Sequence, residues 1–237
     1  MSPSRPTDAI PSHRPLAIAH RAGNDAALAR RAIALGADML ETDVWLHRDA
    51  LEVRHDERVT VFGRPLPLLR HGWHIHRLTP SLRRIESLLD ETPPDVRLFL
   101  DLKGTDPLLG ERLVEWIGEH QPERQIIVCG RSWDQLDAIA SLPHVTAIYS
   151  VGDDRELAAF WDHIGRLDFP AISLNHTLAT SDVMARLKAI NALVICWTVN
   201  DPARMETLRS LGVDGFTTDN LAMIEQIVRE RTRVPIR

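Results

Sequence analysis

The feature that most constrains this chain is the alternation of short apolar segments with amphipathic segments of helical period. Prolines preceded by Asp106, Asp201 and Thr79 mark three of the helix starts. Strands that alternate with helices predict a parallel sheet, because each parallel connection needs a long crossover. Apolar and β-branched runs bounded by turn residues predict nine strands, at residues 16–20, 39–45, 51–55, 97–102, 125–129, 146–151, 171–175, 193–199 and 215–218.

One connection is too short for a crossover. Residues 46–50 alone join the second strand to the third, so these two strands are expected to form an antiparallel hairpin. Without that return strand, eight β-then-α units remain in 237 residues, a length close to the ~250 residues of a TIM barrel. We therefore predict an α/β fold, a (β/α)8 TIM barrel with a small antiparallel hairpin after strand 2. A doubly wound open sheet is the alternative, although no Gly-x-Gly-x-x-Gly motif follows the first strand.

The domain organisation follows from the same pattern. Residues 16–228 are predicted to form a single barrel domain, with a flexible N-terminal tail at 1–15 and a basic C-terminal tail at 229–237. Residues 56–77 have no clear period, and we interpret them as a functional rim loop or lid.

Composition argues against several classes of partner. The formal net charge of -5 gives no basic face for a nucleic acid. No apolar run approaches the ~20 residues that a membrane span needs, and residues 1–15 lack the apolar core of a signal peptide. We therefore expect a cytoplasmic protein with no stable membrane insertion and no nucleic-acid partner.

Acidic side chains follow two of the predicted strands in a pattern that places them together. Catalytic groups of a TIM barrel collect at the C-terminal ends of its strands. Glu41 and Asp43 are two residues apart and therefore share one face of the second strand, and Asp101 ends the strand at 97–102. Three carboxylates without a cysteine suit a hard divalent cation, Mg²⁺ or Ca²⁺.

Basic side chains reach the same rim. Arg21 ends the first strand beside His20, and Lys103 follows the strand at 97–102. If the hairpin turns near residues 48 and 49, the numbers of paired residues sum to 97 or 98, which returns His55 to the side of Asp43. Cationic side chains suit a phosphate, and two imidazoles can supply a general base and a general acid. The arrangement predicts metal-assisted phosphodiester cleavage, with a structural salt-bridge network as the alternative.

Three further histidines, His71, His74 and His76, surround Trp73 in the segment interpreted as a lid. They can bind a metal or touch the substrate. Because the sequence around them offers no second ligand cluster, we interpret this segment as a solvated rim.

Several motifs resemble those of the glycerophosphodiester phosphodiesterases. They occur in the order found in that family and run from residue 19 to residue 219, which is nearly the whole chain. The matching segments are Ala19-His20-Arg21, Leu35-Gly36-Ala37-Asp38-Met39-Leu40-Glu41-Thr42-Asp43-Val44, His55-Asp56, Leu100-Asp101-Leu102-Lys103, Cys196-Trp197-Thr198-Val199-Asn200 and Gly212-Val213-Asp214-Gly215-Phe216-Thr217-Thr218-Asp219.

The resemblance implies a TIM-barrel hydrolase that uses a divalent cation to cleave a glycerophosphodiester into glycerol 3-phosphate and an alcohol. Its small-molecule substrate is therefore a phosphodiester. Carried onto this sequence, the family's roles fall on His20 and His55 as the acid–base pair, on Glu41, Asp43 and Asp101 as the metal ligands, on Arg21 and Lys103 as the phosphate-binding residues, and on Trp197 as a wall of the pocket.

This chain departs from the family pattern in three places. Ala22 stands where the family has the glycine of His-Arg-Gly, and the loop containing Pro-Glu-Asn is missing. Asp101 replaces the usual glutamate, so we expect a roomier site that accepts Ca²⁺ at least as readily as Mg²⁺. The short first loop is also similar to that of the related sphingomyelinase D enzymes. Two alternatives therefore stay open: phospholipase D-like cleavage of a lysophospholipid or sphingolipid headgroup, and a non-catalytic barrel that binds phosphorylated ligands.

Overall fold

A computed structural model of the chain describes residues 10–233, apart from 13, 63, 79–82, 123, 141, 143 and 144. The strands are β1 (Leu16–Ala19), β2 (Met39–His47), β3 (Ala50–Val53), β4 (Glu57–Val61), β5 (Arg64–His71), β6 (His74–Arg77), β7 (Arg83–Arg84), β8 (Arg97–Leu102), β9 (Ile126–Gly130), β10 (Val145–Val151), β11 (Ala171–Asn175), β12 (Leu193–Trp197) and β13 (Gly215–Thr218). The α-helices are α1 (Ala26–Ala34), α2 (Ile85–Glu91), α3 (Leu108–His120), α4 (Trp133–Ile139), α5 (Asp154–His163), α6 (Ser181–Ala189), α7 (Pro202–Ser210) and α8 (Leu221–Arg233).

Eight of these strands close into a parallel barrel in the order β1, β2, β8, β9, β10, β11, β12 and β13. Closure is complete because β1 pairs with both β2 and β13. One α-helix follows each barrel strand, which confirms the predicted (β/α)8 TIM barrel. All nine predicted strands are present, with ends that differ from the prediction by at most two residues.

Two of the three predicted helix starts lie within the described residues. Asp201 caps α7 by accepting a hydrogen bond from the backbone N–H of Ala203 at 3.0 Å. Asp106 accepts one from Leu108 at 3.0 Å, at the beginning of α3. Thr79, the third, lies outside the described residues.

Barrel strands are buried on both faces, and alternate side chains enter two different layers. Ile18, Met39 and Phe99 belong to the cluster inside the barrel, whereas their neighbours in sequence pack under the surrounding helices. Two residues further along each strand, the same interior face carries His20, Glu41 and Asp101 in place of apolar side chains. The alternation that fills the core therefore also aims charged groups into the top of the barrel.

The chain leaves the barrel after β2 and returns at α2. The β2–β3 hairpin pairs Val44 with Val53 and Trp45 with Glu52, so the numbers of paired residues sum to 97 as predicted. Residues 57–77 then form a separate antiparallel sheet of β4, β5 and β6, so the segment that we interpreted as a rim loop or lid has regular secondary structure. Among the described residues of these three strands, Leu69 alone is buried. A sheet with almost no buried face shows no apolar alternation in its sequence.

A buried ion cluster fastens this small sheet to the barrel hairpin. Glu52 in β3 accepts hydrogen bonds from Arg54 Nε at 3.0 Å and from Arg58 Nε at 2.9 Å. Arg58 lies in β4, and the Arg54 guanidinium also stacks 4.4 Å from the ring centroid of Trp45 in β2. These contacts hold the beginning of the small sheet against the rim of the barrel.

At the opposite end of the barrel, helix α8 extends through residues 229–233, where the sequence analysis places the start of a tail. Arg231 forms an ion pair with Asp38 at 2.5 Å, and both side chains are largely buried. Asp38 also accepts a hydrogen bond from the backbone of Ala17 in β1. Residues 1–9 and 234–237 of the expected tails lie outside the described residues. No helix among the described residues is both long enough and apolar enough to cross a membrane.

The Arg231–Asp38 pair predicts a difference between neighbouring arginines of α8. Replacing Arg231 by Ala removes one cationic partner of the buried Asp38 carboxylate, so the free energy of unfolding should fall by about 1–3 kcal/mol. Arg229→Ala is the control, because Arg229 pairs with Glu225 at the exposed surface and such pairs contribute about 0–1 kcal/mol. Urea unfolding measures both variants, and equal losses would contradict a structural role for the buried pair.

Candidate active site

The polar side chains at the top of the barrel surround one cavity of about 290 Å³. It is lined by seven of the eight residues predicted from the sequence: His20, Arg21, Glu41, His55, Asp101, Lys103 and Trp197. The eighth, Asp43, is fully buried beneath them.

Three carboxylates form the floor of the site. Glu41 and Asp43 share the inward face of β2, and the strand register places Asp43 beside Asp101 in β8. Glu41, Asp43 and Asp101 each offer an oxygen within 4.8 Å of the others. Two neighbouring parallel strands are enough to assemble this cluster, because their C-terminal ends meet at one rim.

The ammonium group of Lys103 lies among these carboxylates. Its Nζ atom is 2.9 Å from Asp43 Oδ1 and also contacts Asp101. Burial alone would lower the pKa of Lys103, but Asp101 and Asp43 raise it well above the usual range. Lys103 therefore stays charged and compensates part of the negative charge of the cluster.

One ammonium does not balance three carboxylates. Burial, together with the charges of Asp43 and Asp101, raises the pKa of Glu41 well above its usual value. Burial likewise raises the pKa of Asp101. Asp43 Oδ1 is buried, and the Lys103 ammonium lies 2.9 Å from it. An oxygen-only set with excess negative charge fits a hard divalent cation.

The shortened first loop still supports these carboxylates. Arg21 has a left-handed backbone with φ of 53°, and its N–H donates to Glu41 Oε2 at 2.5 Å. A single 3-10 turn, Ala22–Asn24, then brings the Asn24 amide to Asp43, where it donates to Oδ2 at 2.6 Å. Asn24 also accepts a hydrogen bond from the Asp43 N–H at 3.0 Å. A Cβ atom on Gly23 would lie 1.7 Å from Thr42 Oγ1, so this close turn requires glycine.

His20 is held in one tautomer by Asp219, the residue that follows β13. The two groups are 2.7 Å apart, from Nδ1 to Oδ1. Asn200 in turn orients Asp219, because its amide donates to Oδ2 at 2.8 Å. A carboxylate only accepts, so Nδ1 of His20 carries the proton and Nε2 keeps its lone pair. Burial lowers the pKa of His20 despite the opposing charge of Asp219, which favours the neutral imidazole.

His55 has a comparable carboxylate partner. Its Nδ1 atom is 2.9 Å from Asp56 Oδ1, and its Nε2 atom is 2.6 Å from Arg21 Nη2. A guanidinium group only donates hydrogen bonds, so His55 Nε2 accepts and Nδ1 carries the proton. His55 lies at the same cavity as Glu41 and Asp101, as predicted, but its direct contacts are with Arg21, Asp56 and His71.

Sequence reasoning named both histidines and missed the residues that orient them. Asp219 lies 199 positions from His20 in the chain, so periodicity alone does not connect the two. Asp219 could have been found from its position at the C-terminal end of the last barrel strand, because Glu41 and Asp101 were selected by the same criterion. Asp56, and Asn24, which orients Asp43, lie in turns, so this criterion does not select them.

Comparison with known proteins identifies the family of this chain. The fold and the charged rim define a TIM-barrel phosphodiester hydrolase, and the glycerophosphoryl diester phosphodiesterase family model matches residues 87–223. The chain belongs to that family and is an enzyme, a glycerophosphodiester phosphodiesterase. A relative of that name from Caldanaerobacter subterraneus subsp. tengcongensis is 26% identical over 91% of this chain and 98% of its own length.

Two of the solved structures with the same fold have similar sequence identity to this chain and similar TM-scores. A phosphodiesterase from Oleispira antarctica, in complex with the product sn-glycerol-3-phosphate, is 19% identical with a TM-score of 0.73, covering 91% of this chain and 97% of its own. A glycerophosphodiester phosphodiesterase from Parabacteroides distasonis is 23% identical with a TM-score of 0.70, covering 92% and 98%. These similarities agree with the observed barrel topology.

The raised pKa of Glu41 predicts how stability depends on pH in the presence of a chelator. A group whose folded pKa is raised contributes fully below its unfolded value of ~4.3, and this contribution is lost as pH rises through the folded value. Above pH ~4.3, the free energy of unfolding of the parent should therefore fall as Glu41 ionises, whereas Glu41→Gln has no such group and should show no such fall. At neutral pH the variant should be the more stable of the two. Glu119→Gln, which changes an exposed residue of α3, should follow the parent. Urea unfolding at several pH values measures this, and parallel curves for the parent and Glu41→Gln would refute it.

Proposed function

We propose that this enzyme hydrolyses a glycerophosphodiester to glycerol 3-phosphate and an alcohol, with His20 and His55 as its acid–base pair. The observation that carries the proposal is the presence, at one cavity, of two histidines that each have a carboxylate at Nδ1. The product bound to the Oleispira antarctica phosphodiesterase supports glycerol 3-phosphate as the product here.

The site attracts an anion through its cationic side chains. Arg21 is 40% exposed and lines the cavity, so its guanidinium can turn toward a phosphate. Lys103 is charged and 26% exposed at the cavity wall. Trp197 donates its indole N–H to the Ser173 carbonyl at 2.8 Å, which leaves the ring to form an apolar wall. Arg21 and Lys103 therefore bind the phosphate, and the indole ring of Trp197 borders the rest of the substrate.

His20 acts as the general base. Its Nε2 lone pair is available because Asp219 holds the proton on Nδ1, and the ring is neutral because burial lowers its pKa. It removes the proton from the attacking hydroxyl, which belongs either to water or to the neighbouring glycerol hydroxyl of the substrate. The attacking oxygen forms the new bond to phosphorus.

His55 acts as the general acid. When Arg21 turns from His55 Nε2 to the phosphate, that nitrogen becomes free to take up a proton from solvent water. Asp56 stabilises the resulting imidazolium through its contact with Nδ1. As the phosphorus–oxygen bond to the leaving alcohol breaks, His55 donates this proton to the departing oxygen.

Glu41, Asp43 and Asp101 would hold a divalent cation, Mg²⁺ or Ca²⁺. Such a cation polarises phosphate oxygens and lowers the pKa of a bound hydroxyl. The oxygen-only donor set, with one oxygen from each residue within 4.8 Å of the others, and the raised pKa values of Glu41 and Asp101 support this assignment.

The substrate is tested directly with a panel of glycerophosphocholine, glycerophosphoinositol and lysophosphatidylcholine under Mg²⁺ and Ca²⁺. Release of glycerol 3-phosphate from the first two is expected and is measured by an enzymatic glycerol 3-phosphate assay. Cleavage of lysophosphatidylcholine alone, with release of choline, would instead indicate the phospholipase D-like alternative.

The acid–base roles predict large losses on removing either imidazole. His20→Ala and His55→Ala should each lower kcat by ~10² or more. Circular dichroism spectra should stay unchanged, because both side chains lie at the rim of the cavity. Steady-state kinetics on the best substrate of the panel measures the loss, and near-parental turnover in both variants would refute the assignment.

Asp219 predicts a distinct effect as a positioning residue. Its charge raises the pKa of His20, so Asp219→Asn should move the acid limb of the kcat/KM profile to lower pH. Turnover should also fall by about 10-fold or more, because the imidazole is no longer held in the tautomer that a base needs. A loss of turnover with an unmoved acid limb would show that Asp219 acts through the fold alone.

A further inference from the structure

A second group of possible metal ligands lies beside the cavity, outside the carboxylate cluster. Its centre is Asp56, which immediately precedes β4. His55 precedes it in the chain, His71 ends β5, and His76 lies in β6. The small antiparallel sheet thus brings His71 and His76 to Asp56, a grouping that the sequence of this segment did not indicate. Three imidazoles surround one carboxylate.

The atoms of this group lie at the spacing of ligands around one ion. His55 Nδ1, His71 Nδ1 and Asp56 Oδ1 form a nearly equilateral triangle with sides of 2.9, 3.0 and 3.1 Å. Ligand atoms about 2.0–2.2 Å from a tetrahedral Zn²⁺ lie about 3.3 Å from one another. The triangle therefore needs to open by only a few tenths of an ångström to become one face of such a site.

The protons of this triangle are poorly accommodated by hydrogen bonds alone. Asp56 Oδ1 can accept from both imidazoles, but their two Nδ1 atoms are then protonated donors facing each other at 3.1 Å. If one of them gives up its proton, it faces the carboxylate as a second acceptor. A cation removes this conflict, because all three atoms then offer lone pairs to it.

The rest of the group supports ion binding. His76 Nε2 lies 2.6 Å from Asp56 Oδ2, so it fixes the carboxylate from its other side. The side chain of His71 is 57% exposed, which gives an ion a path from solvent.

We propose that His55, Asp56 and His71, oriented by His76, form a second metal site that takes a late transition metal such as Zn²⁺. Imidazole nitrogens favour Zn²⁺, Ni²⁺ and Cu²⁺, whereas the oxygen-only cluster of Glu41, Asp43 and Asp101 favours Mg²⁺ or Ca²⁺. The two sites therefore select different ions.

Occupancy of this site removes His55 from the reaction, a consequence that rests on the proposed function. A metal on Nδ1 displaces the proton that this atom donates to Asp56, and a neutral ring then carries its proton on Nε2. Nε2 can no longer accept the hydrogen bond from Arg21, so that contact breaks. His55 cannot cycle a proton through Nε2 while its other nitrogen is bound to the metal. Zn²⁺ is therefore an inhibitor that acts beside the phosphate-binding site.

The site is tested with His71→Ala and with His74→Ala as its matched control. His74 is the cross-strand neighbour of His71, is exposed and lies outside the group. Chelator-treated protein is titrated with Zn²⁺ in the presence of excess Mg²⁺. A second sample is titrated with Co²⁺, because the visible absorption of Co²⁺ is much stronger in a four-coordinate site with nitrogen ligands than in an octahedral oxygen site.

The parent and His74→Ala should bind Zn²⁺ and give the strong Co²⁺ spectrum. His71→Ala should lose that spectrum and bind Zn²⁺ at least ~10-fold more weakly. Equal affinity and equal spectra in the parent and His71→Ala would overturn the site.

A second measurement separates the site from the proposed function. Zn²⁺ should inhibit hydrolysis by the parent over the concentration range in which it binds, and the half-inhibitory concentration should rise by ~10-fold or more in His71→Ala. Binding without inhibition would overturn the link to His55 and count against its role as the acid. A parent that hydrolyses no member of the substrate panel would overturn the proposed function, while the Zn²⁺ and Co²⁺ titrations would still decide the site.

Discussion

Mutual repulsion among Glu41, Asp43 and Asp101 is the constraint on which the rest of this site depends. The barrel brings their oxygens within 4.8 Å of one another in a buried setting, where like charges resist ionisation together. The surrounding contacts each reduce this repulsion. Lys103 supplies positive charge, and the Arg21 N–H and the Asn24 amide donate hydrogen bonds to the carboxylates. The negative charge that is not compensated suits a divalent cation. The same excess of negative charge that makes the cluster unfavourable for folding suits it to the divalent cation that we propose for this site.

Much of this arrangement could be predicted from sequence because the barrel has strict geometric rules. Strand alternation fixes which residues enter the interior, so Met39, Glu41 and Asp43 share a direction once β2 is recognised. The hairpin register followed from the length of its turn, and it returned His55 to the rim. Family motifs agreed with these positions, and the barrel and the enzyme class were both confirmed.

The parts that escaped prediction depend on contacts between distant segments. The small sheet of β4, β5 and β6 buries almost no apolar face, and a buried ion cluster around Glu52 attaches it to the barrel, so its sequence lacks the usual alternation. The pairing of His20 with Asp219 requires closure of the first barrel strand on the last. The sequence pattern assigns Arg231 to a basic tail, whereas in the structure it forms an ion pair with Asp38. In each case, the partner lies outside the window from which a local pattern is read.

In the proposed reaction, one cavity would hold a divalent cation on Glu41, Asp43 and Asp101 next to the phosphate bound by Arg21. The most direct measurement is a crystal structure of the enzyme with Mn²⁺ and glycerol 3-phosphate, with anomalous scattering used to locate the metal. We expect an anomalous peak coordinated by these three carboxylates and by a phosphate oxygen, with Arg21 turned away from His55 Nε2. A phosphate bound elsewhere, or an ordered Mn²⁺ ion that these carboxylates do not coordinate, would contradict it.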